Sequence, residues 1–285
     1  PCSHCELIGS IAMRVLITGS NSGFGKLATL TLARQGHDVI ATMRSLEKST
    51  TLLADIAVEG LDVETRQLDV CDPDSIASAL ADAADIDVLV NNAGFEVQGA
   101  LEMIDDELMH RQLDTNVLGP LRLIRSMMPA WRERGHGVVV NVSSVVGRAT
   151  SPFGGAYAAS KHALEAMSEA LHWEASSAGI RVHVSEPGRF PTTDFGSNIV
   201  RPDGWEGSAF ETKALSLREA LTSLDSGGPS DPQTVADAIA FAATNPAAPF
   251  RTVVGDDADL IVGAKASMSF EDFEQAMRST IDWYE

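Results

Sequence analysis

Thr18-Gly19-Ser20-Asn21-Ser22-Gly23-Phe24-Gly25 separates the first apolar run of this chain from its first helical pattern. Its glycines permit a tight turn and a close approach of backbone to an anion. The N–H groups that open the following helix would face that anion. The spacing is GxxxGxG rather than GxGxxG, so its place at a strand–helix junction carries the argument. Outward from this turn, short β-branched runs fall at 15–18, 38–42, 63–68, 88–90, 138–142, 181–185 and 252–254. Helical patterns alternate with them at 25–35, 73–84, 107–134, 156–177, 232–243 and 270–283. Strands apolar on both faces belong to a parallel sheet covered on both sides, and helical crossovers are the favoured way to join them. The expected architecture is a doubly wound parallel α/β sheet with helices on both faces. Asp72-Pro73 and Asp231-Pro232 mark two helix starts, an N-cap acid before a proline suited to the first turn.

The 285 residues suit one large domain or two small ones, and 44% hydrophobic content is that of a globular chain. With 21 Lys+Arg against 40 Asp+Glu the formal charge is −19, which argues against a nucleic-acid backbone or an anionic membrane surface as partner. Three cysteines make no disulfide framework, which points to a reducing, cytoplasmic setting. No apolar stretch approaches a membrane span. Cys2-Ser3-His4-Cys5 resembles half of a zinc site, but the only other cysteine is Cys71, so no metal is expected. Met13 directly precedes the first strand, and residues 1–12 read as an N-terminal extension or artificial remnant. Residues 13–285 then form a single domain. Within it, 190–230 breaks the rhythm with Pro191, Pro202, Gly204 and Gly227-Gly228-Pro229 around Phe195, Trp205 and Phe210. Such an excursion suits a lid or substrate-binding loop.

A dinucleotide held at a Rossmann turn is selected at the end of the second strand, where an acid binds the ribose 2′-hydroxyl. Here Ile40-Ala41-Thr42-Met43-Arg44-Ser45 offers no acid; Arg44 presents a donor fork suited to a 2′-phosphate. NADP(H) is therefore expected over NAD(H), with Ser22, Thr42 and Arg44 around the phosphate. Tyr157-Ala158-Ala159-Ser160-Lys161 puts a phenol and an ammonium on one helix face. A tyrosine near its ordinary pKa of about 10 is a poor base, and a neighbouring cation would bring it into range. Ser143-Ser144 ends a strand upstream, and the chain has only two tyrosines.

Taken in order, these residues resemble the short-chain dehydrogenase/reductase family over about 14–193. The motifs are the 18–25 turn, Leu68-Asp69-Val70, Asn91-Asn92-Ala93-Gly94 and Asn116-Val117-Leu118-Gly119. They continue through Asn141-Val142-Ser143-Ser144, Tyr157 with Lys161, and Pro187-Gly188 with Thr192. The glycine spacing is similar to that of the family's shorter branch. Residues 39–44 look like those of NADP(H)-preferring 17β-hydroxysteroid-dehydrogenase-like and retinol-dehydrogenase-like members. The resemblance implies a single-domain Rossmann fold and hydride transfer between a nicotinamide and a secondary alcohol or ketone (or a primary alcohol or aldehyde).

It further implies Tyr157 as general acid/base and Ser144, thirteen residues before it, as the group that orients the substrate oxygen. Lys161 would lower the Tyr157 pKa and hold the nicotinamide ribose, and Asn116 would anchor a water linking Lys161 to solvent. Gly19, Ser22, Gly23, Phe24 and Gly25 would cradle the pyrophosphate side. Asp69 and Val70 would meet adenine, Asn91, Ala93 and Gly94 the adenosine ribose region, and Pro187, Gly188, Phe190 and Thr192 the carboxamide. Phe95, Val146, Phe153 and Phe195 are candidate walls for an apolar or aromatic small-molecule substrate, bordered by Glu96 and Arg148. The family also implies a homodimer or homotetramer through the helices at 107–134 and 156–177. Their stripes Leu121, Ile124, Met128 and Leu164, Met167, Leu171 serve an interface or the core equally well. The competing readings are a dinucleotide-binding sensor without turnover and an epimerase or dehydratase.

Overall fold

Seven strands, all parallel, order themselves β3-β2-β1-β4-β5-β6-β7 among the residues that the computed structural model describes, 12–81, 83–223 and 230–281. They are β1 (Arg14–Thr18), β2 (Asp38–Met43), β3 (Val63–Gln67), β4 (Val88–Asn91), β5 (Gly137–Val142), β6 (Ile180–Pro187) and β7 (Arg251–Val254). Residues 1–11, and with them the Cys2-His4-Cys5 cluster, lie outside the described residues. Alternation along the central strands divides the core. Val15 and Ile17 of β1 join Val88, Val90, Val138 and Val140 on one face, and Leu16 joins Leu89 and Val139 on the other.

Helices cover both faces. On the first, α1 (Gly23–Arg34) and α8 (Gln233–Thr244) pack Ala28 and Leu32 with Val235, Ala236 and Ile239 over the Val15 layer. On the second, α3 (Pro73–Ala79), α5 (Gly119–Arg134) and α6 (Gly155–Ser176) bring Ile76, Leu123, Met127, Trp131 and Ala175 over the Leu16 layer. Ile124 is in this same core, with Met128 and Leu171 packed against it, and Leu164 is buried. Much of the stripe left open between interface and core is thus core. Trp131 is fully buried, and its indole Nε1 donates to the Ile86 carbonyl at 2.7 Å. Trp131→Ala is expected to lower the unfolding free energy by about 3–5 kcal/mol, readable by urea denaturation; a loss under about 1 kcal/mol would show that this contact does not anchor α5.

All seven expected strands are present. The helices depart from expectation where their signal was local. The pattern at 73–84 stops at Ala79. The run at 107–134 is two helices, α4 (Asp106–Leu113) and α5, joined by a π-helical turn at Asp114–Leu118; π turns of this kind often accompany functional sites. Three further helices stand where none was expected: α2 (Thr50–Glu59), α7 (Ala209–Ser223) inside the supposedly irregular excursion, and α9 (Asp256–Ser267). The chain's last described helix is α10 (Phe270–Ile281). Strand order reverses between β1 and β4, and the carboxyl ends of those strands open the crevice where such sheets bind ligands.

Candidate active site

At that crevice Thr18 and Asn92 clasp the ends of β1 and β4. Thr18 Oγ1 accepts from the backbone N–H groups of Asn92 and Ala93 at 3.0 and 2.9 Å. Asn92 Nδ2 donates to the carbonyls of Thr18 and Gly19 at 2.8 and 3.1 Å. This holds the glycine turn against β4. Gly19 and Gly23 have positive φ, 68° and 55°. A Cβ on Gly23 would meet nothing within 4 Å, whereas one on Gly25 would lie 2.4 Å from the Gly19 carbonyl oxygen. Gly23 thus opens the turn to the crevice, and Gly25 allows helix and turn to touch. Gly25 does not itself line the cavity. Ser22, the N-cap of α1, makes no side-chain capping bond, so the helix opens with N–H groups that a phosphate would satisfy.

The cavity measures about 1090 Å³ and runs from this turn to the far side of β5, at the upper end of small-molecule sites. At one end Ser22, Arg44, Ser45, Lys48 and Asp69 line it. Arg44 is exposed and has no side-chain partner among the described residues. Thr42 does not join this group: it is fully buried and its Oγ1 donates to the Ile17 carbonyl at 3.0 Å. Asn91 likewise departs from expectation, since its Nδ2 donates to Asn141 Oδ1 at 2.8 Å inside the sheet and Asn92 faces the cavity instead. Phe24, Val70, Ala93, Gly94, Pro187, Gly188 and Phe190 line the cavity as expected; Thr192 is exposed, and Thr193 lines it in its place.

At the other end Ser144, Tyr157 and Lys161 converge. Tyr157 and Lys161 occupy one face of α6, with the ammonium 5.6 Å from the ring centroid. Lys161 Nζ donates to the Val142 carbonyl at the end of β5, 2.8 Å away. Ser144 Oγ donates to the Pro187 carbonyl at 3.4 Å and accepts from the Val146 N–H at 3.3 Å. Burial brings the Lys161 ammonium down to about 8 against the opposing pull of Glu165. The Tyr157 phenol moves opposite to expectation. Burial first, then the negative charge of Glu96, push it above its ordinary value, and a hydrogen bond with Ser144 only partly offsets them. The phenol therefore keeps its proton at neutral pH.

Asn116, in the π turn, does not line the cavity. Its Nδ2 donates to the Phe95 carbonyl at 3.0 Å and to Ser160 Oγ at 3.1 Å, and its Oδ1 accepts from the Phe95 N–H at 3.2 Å. It braces the loop after β4 against α6. Phe95, Val146, Phe153 and Phe195 line the substrate end. Phe195 lies 5.8 Å from Tyr157 and Phe153 lies 5.7 Å from Trp205, ring centre to ring centre. Phe153 is also the described non-glycine residue with positive φ, 62°, a strained conformation of the kind stored at binding sites. Leu217 from α7 and Phe273 and Met277 from α10 complete the apolar wall. Arg148 does not line it, pairing instead with the buried Glu186 at 3.1 Å.

Glu96 faces the same space. Burial pushes its carboxyl up to about 7, which Arg201 only partly counters, and Tyr157 is the titratable group it acts upon. A carboxyl neutral more readily in the folded than in the unfolded chain contributes nothing below its ordinary pKa. Its destabilisation grows as pH rises from the ordinary value of 4.5 toward about 7 and is complete above that. In the nucleotide-free protein Glu96→Gln is expected to raise the unfolding free energy on the order of 2–3 kcal/mol at pH 8, with no gain at pH 4. Equal effects at both pH values, measured by urea unfolding, would contradict this account.

Residues 13–203 match the model of the short chain dehydrogenase family. The chain belongs to the short-chain dehydrogenase family. It is accordingly an oxidoreductase of that family. It is 32% identical to a 3-ketodihydrosphingosine reductase of Bacteroides thetaiotaomicron over 85% of this chain and 87% of that one. It is 39% identical to retinol dehydrogenase 8 of Bos taurus over 61% of this chain and 58% of that one. Among solved structures, a short-chain dehydrogenase from Streptomyces avermitilis is 34% identical with a TM-score of 0.77, covering 94% of this chain and 98% of its own. A putative NAD(P)-dependent gluconate 5-dehydrogenase from Beutenbergia cavernae, with bound NADP, is 26% identical with a TM-score of 0.73, covering 88% and 98%. No helix among the described residues of this short-chain dehydrogenase is long and apolar enough to cross a membrane.

Proposed function

We propose that this short-chain dehydrogenase is an NADP(H)-dependent enzyme interconverting an apolar or aromatic secondary alcohol and its ketone, with Tyr157 as general acid/base. The observation that carries the reading is that one cavity joins the Ser144–Tyr157–Lys161 group to the glycine turn and to Arg44. The open Cβ space at Gly23, the uncapped start of α1 and the unpaired Arg44 fit a phosphorylated dinucleotide. NADP bound to the Beutenbergia relative is consistent with it. A bound nicotinamide supplies or accepts the hydride.

The chain's own residues then manage the proton and the geometry. In reduction Tyr157 Oη gives its proton to the carbonyl oxygen, and the raised proton affinity of the buried phenol keeps it charged with that proton beforehand. Lys161, positioned by the Val142 carbonyl, stabilises the phenolate left behind. In oxidation the same phenolate takes the alcohol proton. Ser144, with Val146 N–H donating to its oxygen, turns its one hydroxyl proton from the Pro187 carbonyl to the substrate oxygen. The aromatic wall formed by Phe95, Phe153 and Phe195 excludes water and holds the remainder of the substrate. The test is a panel of ketones and carbinols with NADPH or NADP+, followed at the nicotinamide absorbance band. Nucleotide binding without turnover of any panel member would favour a non-catalytic binder.

A further inference from the structure

An aromatic pocket made only for apolar ketones has no use for a carboxylate, and this one holds Glu96. Its backbone is fixed from three sides. The Glu96 carbonyl accepts from Val200 N–H at 2.9 Å, and Gln98 N–H donates to the Val200 carbonyl at 2.9 Å. Gln112 Nε2 donates to the Phe95 carbonyl at 2.8 Å and its Oε1 accepts from Val97 N–H at 2.6 Å. Asn116 holds Phe95 as described above. With Val97 fully buried on the opposite side, the Glu96 side chain is directed to the cavity wall.

There the carboxylate has no hydrogen bond or ion pair among the described residues. The cation that acts on it, Arg201, lines the cavity too, but its Nη2 is engaged by Gln98 Oε1 at 3.2 Å. Glu96 and Tyr157 line the same cavity, and the negative charge of the acid raises the proton affinity of the phenol that would meet the substrate oxygen. Charge withdrawn from water without a partner is costly, and here that cost is borne in the wall of the cavity that Tyr157 also lines. A ligand that brings its own donor removes it.

We propose that Glu96 is a specificity-determining residue which selects an amino alcohol or amino ketone, its ammonium on the carbon beside the reacting one and its apolar remainder against Phe153 and Trp205. The proposal rests on Tyr157 being the group that meets the reacting oxygen. The carboxylate accepts from the ammonium, and the tail is held by the edge-to-face ring pair. A hydroxyl in the ammonium's place donates one hydrogen bond but brings no charge of its own and is the weaker ligand.

Three carbinols of matched size test it: phenyl–CH(OH)–CH2–X with X methyl, hydroxyl or ammonium, offered with NADP+ at about pH 8. The ratio of kcat/KM for the ammonium compound to that for the methyl compound is expected to exceed about tenfold. It should fall by about 10- to 100-fold in both Glu96→Gln and Glu96→Leu, the range of one hydrogen bond between charged groups. Calorimetric binding of the same carbinols to Tyr157→Phe, with and without Glu96→Gln, reads the selectivity apart from turnover. A ratio indifferent to Glu96 overturns the proposal and leaves the enzymatic reading standing. Glu96-dependent binding of the ammonium compound with no oxidation of any carbinol supports the proposal and overturns that reading. Absence of both selective binding and selective turnover overturns the proposal.

Discussion

Tyr157→Phe is expected to lower kcat about 10²- to 10⁴-fold in both directions, the usual contribution of a positioned general acid/base, with NADPH affinity nearly unchanged. The variant keeps the ring packed 5.8 Å from Phe195 and removes only the hydroxyl, so the loss isolates proton transfer from shape. Lys161 stays held by the Val142 carbonyl, and Ser144 keeps its bonds to the Pro187 carbonyl and the Val146 N–H while losing only its hydrogen bond with the phenol. Single-turnover rates measured with saturating nucleotide read the chemical step directly. Turnover within about tenfold of the parent would remove Tyr157 from the mechanism.

The second large effect concerns nucleotide choice. Arg44→Asp is expected to reduce the NADPH-to-NADH ratio of kcat/KM by about 10²- to 10³-fold, since a charge-assisted fork is lost and a like charge takes its place. Arg44 is exposed, lines the turn end of the cavity and is unpaired among the described residues, so its removal breaks no ion pair within the chain. Lys48 lines the same end, and Arg44→Asp with Lys48→Ala is expected to deepen the change. Steady-state kinetics with each nucleotide give the ratio. Equal losses with NADPH and NADH would show that the 2′-phosphate is not held here.

The site residues readable in advance were those whose chemistry depends on spacing along one element. Tyr157 and Lys161 share a helix face at a separation of four, and the glycine turn announces itself by composition. Less legible were residues at and beyond strand ends, where the chain leaves the regular alternation of a strand. Thr42 turns into the sheet while Arg44 and Lys48 reach the crevice. Asn91 pairs with Asn141 while its neighbour Asn92 clasps the turn. Thr192 and Thr193 divide in the same way. Two adjacent residues of one type carry no mark in the sequence of which one faces the ligand.

By itself, the sequence determined the central strands and the doubly wound architecture, because strands buried on both faces must be nearly continuous apolar runs. It also determined the phenol–ammonium pair, because helical geometry alone puts those residues together. Only the tertiary structure decided the proton affinities and the walls. Burial raises the Tyr157 phenol against the expected lowering by Lys161, and α7 and α10, distant in the chain, close the pocket. The isolation of Glu96 is likewise a property of what surrounds it. Desolvation and the absence of a partner are set by the neighbours that folding supplies.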